Sequence, residues 1–291
     1  MKYIDSEYDY IIVGAGSAGC VLANRLSENP KNRVLLLEAG REDKSITLKM
    51  PAAVLLNLKS TKHNWAFKGE PEPELAGRQL QHDRGKTLGG SSSINGMVFI
   101  RGNSLDYEGW RQMGCEGWGY ADVLPYFKKM ESYSGGGDDF RGDSGPLKVH
   151  RSMPKDPLSL AFINAGKEAG YKETDDISGY CQEGFGIFDR TVFKGERWST
   201  TRGYLDPVRD RDNLTILTKV LVCKLILENN RATGVSFIDN RDKVFNVKSK
   251  KEVILSAGAV GTPHILMLSG IGPKDHLNSM GINLKADLPG V

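Results

Sequence analysis

The sequence predicts an α/β fold, α+β overall once a second domain is counted, and three observations predict it. An apolar run, a glycine turn, a helical segment and a second apolar run follow one another between Asp9 and Gly40. Four further β-type segments return between Asn213 and Gly258. Between these blocks lies a long stretch of helical pieces and polar loops, which reads as part of a second domain.

Tyr10 to Val13 is apolar without alternation, the pattern of a strand buried on both faces. Gly14 permits the tight bend that follows, Gly16 has no side chain to keep a pyrophosphate off the backbone, and Gly19 lets the next helix pack against the strand. That helix, Ser17 to Glu28, offers unpaired N–H groups and a positive dipole end to a phosphate, so Ser17 and Ala18 join the candidate contacts. A second strand, Val34 to Leu37, ends at Glu38. This carboxylate lies about 20 residues beyond the last glycine, where a Rossmann unit places the acceptor for ribose hydroxyls, and Ala39 follows it in the same turn. A plain strand-to-helix turn would leave Glu38 unexplained. The stretch is therefore Rossmann-like and dinucleotide-binding.

Composition narrows the remaining classes. The 291 residues can bury a substantial core, and a formal charge of +3 from 39 basic and 36 acidic residues gives no field that argues for nucleic acid. No apolar run approaches the ~18 residues of a membrane span, and the opening residues lack a leader's apolar core. A place in the cytoplasm, or at the periphery of an inner membrane, is expected. Cys20, Cys115, Cys181 and Cys223 are scattered without a C-x-x-C pair, which fits reduced thiols and no metal site.

After Glu38 the spacing predicts a helical patch around Met50 to Leu58 and then a polar loop containing Pro51, Pro71 and Pro73, together a lid or inserted segment. Trp65, in HNWAF, has packing as its plainer reading. The next informative stretch is Arg84 to Gly102, RGKTLGGSSSINGMVFIRG, whose glycines and serines put free backbone N–H groups where a large flat or phosphorylated ligand can approach. Arg84 and Arg101 either neutralise phosphate or lock the loop, and spacing alone does not choose. The aromatic residues between Gly109 and Glu131 read as core. Gly135 to Gly145 reads as a flexible polar loop, and Pro157 to Gly170 as a helix. NLTILTKV, VCKLILE, ATGVSFID and KEVILSAG are strands, and Pro263 is expected in the first turn of the helix that follows them.

Arg84–Gly102 closely resembles the first signature of the glucose–methanol–choline oxidoreductases, flavoenzymes that oxidise alcohols. The Rossmann stretch resembles theirs too, and Gly258 to Gly272, GAVGTPHILMLSGIG, resembles their second signature. The resemblance runs from about Tyr8 to the last residue. It implies FAD, bound non-covalently because Ile94 stands where some relatives carry a flavin-linked histidine. It implies that Leu88, Gly89 and Gly90 lie beside the pyrophosphate, and Asn95, Gly96, Met97 and Val98 near the flavin and its ribityl chain. Val222 would offer backbone contacts to the adenine, with Ser256, Ala257 and Gly258 at the AMP half. The implied division is a cofactor domain of residues 1–44 and 213–291, a lid and extended cofactor segment of 45–145, and part of a substrate domain in 146–212.

GYCQEGFGIFDRT, RWSTTRGYL and HNWAF resemble the choline-dehydrogenase branch, which implies a primary alcohol such as choline as substrate and makes Trp65 the candidate substrate contact. The implied chemistry is removal of the hydroxyl proton and hydride transfer to flavin N5. The family's catalytic pair falls beyond Val291, so the chain is expected to be the N-terminal part of a longer enzyme. None of His63, His82, His150, His264 and His276 matches that pair, and no catalytic residue is named. The electron acceptor is left open. Three rivals remain: a hydroxynitrile lyase of the same family, separable by bleaching with alcohol; a nicotinamide-dependent dehydrogenase, disfavoured by the Arg84–Gly102 loop; and a non-catalytic FAD-binding module.

Overall fold

A computed structural model of the chain describes residues 6–151 and 156–291. The first five residues of the expected 1–44 segment, with part of the stretch read for a leader, lie outside them. The chain forms two compact units, one running to Ile94 and resuming over Ser199–Val291, the other Asn95–Trp198.

The first unit is built on a six-stranded sheet in the order Leu214–Thr218, Val34–Glu38, Glu7–Val13, Val244–Leu255, Arg231–Ile238, Leu221–Glu228. The first four strands are parallel, with Ile11 opposite both Leu35 and Val253. Arg231–Ile238 runs antiparallel to Val244–Leu255, and Leu221–Glu228 antiparallel to it in turn. Val34–Glu38 sits between two parallel neighbours and every residue in it is buried, which is why its sequence is apolar without alternation. Asn229 and Asn230 both have positive φ, as a two-residue hairpin turn demands, and they reverse the chain between the two antiparallel strands. The core joins Ile11, Val13, Leu35 and Leu37 to Val222, Val235, Phe237 and Ile265. Helix Ser17–Leu26 covers the sheet with Gly19, Cys20 and Ala23 buried.

Two local expectations for this unit change. The polar loop around Pro71 and Pro73 contains an antiparallel pair, Phe67–Glu72 with Arg78–His82. Its residues are mostly exposed, so no apolar alternation marked it. Pro263 lies in the second turn of helix Gly258–Leu268, not the first. There it removes the donor that Ala259's carbonyl would take four residues on, at an exposed turn where water can replace it.

The second unit holds a four-stranded sheet, Val98–Phe99, Asp189–Arg190, Leu147–Arg151, Glu131–Tyr133, and helices Ser104–Gln112, Tyr120–Met130 and Pro157–Glu168. The aromatic residues of the first two helices do pack on one another, Tyr107 against Trp110, Tyr120 and Phe127. They are not core: Trp110, Trp118 and Tyr126 are exposed and neither helix buries a residue. Gly135–Gly145 is also no loose loop. Arg141, within it, is fully buried, with its guanidinium on Glu131, Asp176 and Asp189 and its Cζ 3.8 Å from the centre of the Tyr133 ring. Arg151 adds a second bond to Asp189, and Arg101 pairs with Glu131 and donates to the Phe140 carbonyl. The Arg101 side chain is thus buried and tied to the Glu131 strand and the segment after it. Arg84 is exposed and donates to the Asp83 carbonyl.

Candidate functional site

Parallel strands that end in register bring their following loops to one edge. Val13 is level with Leu37 and Leu255, so Gly14, Glu38 and Ser256 gather at the carboxyl edge of the sheet, where open α/β folds bind ligands. Gly14 has φ +96°, and a Cβ on it would lie 2.6 Å from the Ser256 carbonyl oxygen. Ser256 closes this corner, its N–H donating to Val13 and its hydroxyl to the Gly14 carbonyl, 2.8 Å each. A Cβ on Gly19 would stand 1.9 Å from the Gly14 carbonyl oxygen, so the helix approaches as closely as expected. Gly16 differs. Its φ of −75° suits any residue, and a Cβ there would meet only the Ser256 oxygen at 3.9 Å. The fold does not need glycine at 16, and the space in front of it, at a helix N-terminus with no side-chain cap, suits an approaching phosphate.

This difference separates folding from ligand binding. Gly19→Ala is expected to lower the melting temperature, because its Cβ has nowhere to go. Gly16→Val is expected to melt like the parent and to lose dinucleotide affinity. Equal affinity in parent and Gly16→Val, by equilibrium titration, would remove Gly16 from the site.

The second glycine loop joins the first. The Gly89 N–H donates to the Ala15 carbonyl at 2.7 Å, and Gly90 packs so closely that its Cβ would fall 2.7 Å from the Gly16 Cα. Leu88 is fully buried beneath. The turn Gly90–Ser93 is held from behind by Thr200, whose hydroxyl is 2.9 Å from that of Ser92. Thr200 leads into a single π-helical turn, Thr201–Leu205, that packs on helix Ser17–Leu26 through Asn24 Nδ2 to the Tyr204 carbonyl, 2.7 Å. Cys20 lies in this contact, and burial pushes its thiol up to about 12, which makes it inert packing.

Glu38 is buried, and its two carboxylate oxygens accept the Ala15 and Gly40 N–H groups at 2.8 Å each. Burial raises its pKa to about 7, against the opposing pull of the Gly40 and Ala15 N–H groups and the Lys86 charge. A carboxylate has about four lone-pair sites, so two remain for further donors. The Val220 N–H binds the Glu38 carbonyl and the Lys219 N–H the Gly40 carbonyl, which brings Val222's strand alongside Ala39. Ala257 immediately precedes helix Gly258–Leu268, and Gly258 opens it at φ +80°.

Asn95, Gly96, Met97 and Val98 belong to the second unit. Asn95 Oδ1 accepts both the Met97 N–H and Arg197 Nη1, at 3.0 and 2.9 Å, and Met97 takes the left-handed φ of +62°. Val98 is half exposed, and a Cβ on Gly96 would meet open space. Arg197 is fully buried, and burial lowers its guanidinium to about 10. Sequence reading missed it, because no spacing rule links residue 197 to residue 95.

Trp65 belongs to the first unit. It lines a cavity of about 410 Å³ that starts at Ala39 and Gly40 and is otherwise walled by Arg41, Lys62, Lys86, Lys219, Leu221 and Ile238, among others. Lys86 Nζ stands 4.3 Å from its ring centre and Phe67 stacks parallel at 5.6 Å. The Trp65 ring thus already bears an ammonium, and the cavity it lines begins in the turn that follows Glu38. None of the five histidines is buried; His63, partly covered, is lowered by burial and then by the Arg41 and Lys62 charges. Among the described residues no group of three or more metal-ligating side chains gathers, and no helix is long and apolar enough to cross a membrane.

A parallel edge carrying a glycine turn, an open helix N-terminus and a buried acid defines a nucleotide-binding protein of Rossmann type. The chain belongs to the GMC oxidoreductase family, whose model matches residues 8–288. It is 49% identical over 283 residues to an oxygen-dependent choline dehydrogenase of Sinorhizobium fredii, covering 97% of this chain and 51% of that protein. Among solved structures, a pyridoxine 4-oxidase from Mesorbium loti matches with a TM-score of 0.93 at 35% identity, over 98% of this chain and 56% of that one. An FAD-dependent oxidoreductase from Chaetomium thermophilum matches with a TM-score of 0.91 at 34% identity, over 98% and 51%. The chain thus spans about half the length of the relatives it matches.

Proposed function

We propose that this chain binds FAD non-covalently and supplies the cofactor half of an enzyme that oxidises a primary alcohol, choline-like by preference, to the aldehyde. The observation that carries the reading is the buried Glu38 carboxylate beside the open Gly16 turn, in a chain of this family. The residues fit the group: Gly16 leaves room for a pyrophosphate, Glu38 keeps acceptor capacity for ribose hydroxyls, and a cation-rimmed cavity continues from Ala39. FAD, when bound, supplies a hydride acceptor at N5. The chain's own part is to hold it: Ser17, Ala18, Gly89 and Gly90 around the pyrophosphate, Val222, Ser256, Ala257 and Gly258 along the AMP half, and Asn95 to Val98 toward the flavin. Residues 1–44 and 213–291 are assigned to the cofactor, 45–145 to its cover, and 146–212 to the substrate side. The compact units cut across this functional division at residues 95 and 199. The relatives named above are a dehydrogenase, an oxidase and an oxidoreductase, and the hydroxynitrile-lyase alternative draws no support from them.

The test is titration of the 291-residue chain with FAD, followed by flavin fluorescence and absorption. Saturable binding with a yellow product is expected; binding of a nicotinamide dinucleotide in its place would overturn the reading. One observation favours the module reading for the chain by itself: it spans about half of its relatives, and no base is assigned among its residues. Loaded with FAD, it is therefore expected to leave choline unoxidised, because general-base assistance typically contributes about 10²–10⁴-fold. Steady-state aldehyde formation by this chain with an artificial electron acceptor would show that it carries its own base.

A further inference from the structure

The cavity that opens at Ala39 is ringed by Arg41, Lys62, Lys86 and Lys219, against one carboxylate, Asp239. Arg41, Lys62 and Lys219 are exposed and Lys86 is half-buried. Among the described residues none of the four has an ion-pair partner, whereas Lys250 and Lys251 at the opposite edge of the sheet pair with Glu7 and Asp9. The chain as a whole carries only +3. The mouth thus holds a local excess of cations over carboxylates, and the field is felt by its neighbours: Arg41 and Lys62 help to lower His63, and Lys86 opposes the rise of Glu38.

Unpaired cations around a concave, partly apolar mouth raise the local concentration of an anion and speed its encounter without adding a contact in the final complex. Three of these side chains stand on the rim in water, where a fixed ion pair contributes little and long-range attraction survives. From this arrangement we infer that the Arg41–Lys62–Lys86–Lys219 ring is an electrostatic funnel that sets the rate at which the chain captures its dianionic dinucleotide, and leaves the residence time to the glycine turn and Glu38. The inference rests on the FAD reading above and adds a kinetic role to it. Cofactor loading would then depend on ionic strength far more than cofactor retention does.

The experiment is stopped-flow quenching of FAD fluorescence by the full 291-residue chain, between about 0.01 M and 1 M salt, where the Debye length falls from ~30 Å to ~3 Å. Lys62→Glu/Lys219→Glu is compared with Lys31→Glu/Lys250→Glu, which makes the same charge change at the opposite sheet edge. The first pair is expected to slow association about tenfold at low salt and to flatten its salt dependence, with dissociation unchanged. The control pair is expected to keep most of the parent's rate. Circular dichroism melts confirm that each variant is folded. An unchanged association rate in Lys62→Glu/Lys219→Glu overturns the funnel while leaving FAD binding intact. Faster dissociation at an unchanged association rate also overturns it, since the lysines would then be gripping the ligand. Failure of the parent chain to bind FAD at all removes the functional reading, and the funnel with it.

Discussion

Replacing Arg141 with alanine is expected to destabilise the second unit by about 3–5 kcal/mol, the usual cost of breaking a buried ion network by removing one partner. Arg141 is fully buried, and Glu131 and Asp189, which it joins, are buried as well. Burial alone would lower its pKa, but hydrogen bonds and charge from Glu131, with Asp176 and Asp189, outweigh that and the net displacement is upward. With the guanidinium gone, two buried carboxylates must share Arg101 and Arg151, whose own fits are already set. Denaturant unfolding read by near-UV circular dichroism measures the loss. The exposed pair Arg25–Glu28 is the comparison, where Arg25→Ala should cost no more than about 1 kcal/mol. Equal effects from the two substitutions would mean that the network is no more than a surface ornament of charges.

Glu38→Gln is expected to weaken FAD by about 1.5–3 kcal/mol at pH 8, the range for hydrogen bonds to a charged group. The pH dependence is the sharper readout. With its pKa raised to about 7 by burial, Glu38 is largely protonated at pH 6 and ionised at pH 8. Ribose hydroxyls donate best to the ionised form, so affinity should fall as pH drops below about 7, approaching tenfold per unit. Glu38→Gln should abolish that slope. The sign reverses for the ligand-free fold: the folded state keeps this proton to higher pH than the unfolded chain, so the stability linked to it is complete below the ordinary carboxylate range and is lost as pH rises through about 7. Parallel pH profiles in parent and Glu38→Gln, for either quantity, would reassign the acid.

Much of the site was readable because its grammar is local. Gly14, Gly16, Gly19 and Glu38 sit within one strand–turn–helix–strand unit, where spacing along the chain is nearly spacing in the fold. The core strands were readable for the same reason: Val34–Glu38 has apolar neighbours on both faces, and burial demands an unbroken apolar run. Arg141 was not readable. Its partners stand 10, 35 and 48 residues away, and only their convergence turns a polar, glycine-rich segment into an anchored one. The aromatic residues near Trp110 were misread because periodicity reports that side chains share a face and says nothing about what covers it.

The sequence by itself determined the Rossmann-type turn, the acid at its second strand and the family, because each is carried by residues whose mutual geometry the backbone fixes over a short span. Tertiary structure alone decided that Trp65 faces Lys86 in the cavity that opens at Ala39, that Arg101 is tied to Glu131 and that four cations, without ion-pair partners among the described residues, share one mouth. Those facts depend on which distant segments meet. Charge and aromatic surface carry no address in the chain, and they acquire one only when the sheet edge, the Thr61–Trp65 segment and the Lys219 turn are brought together around a single space.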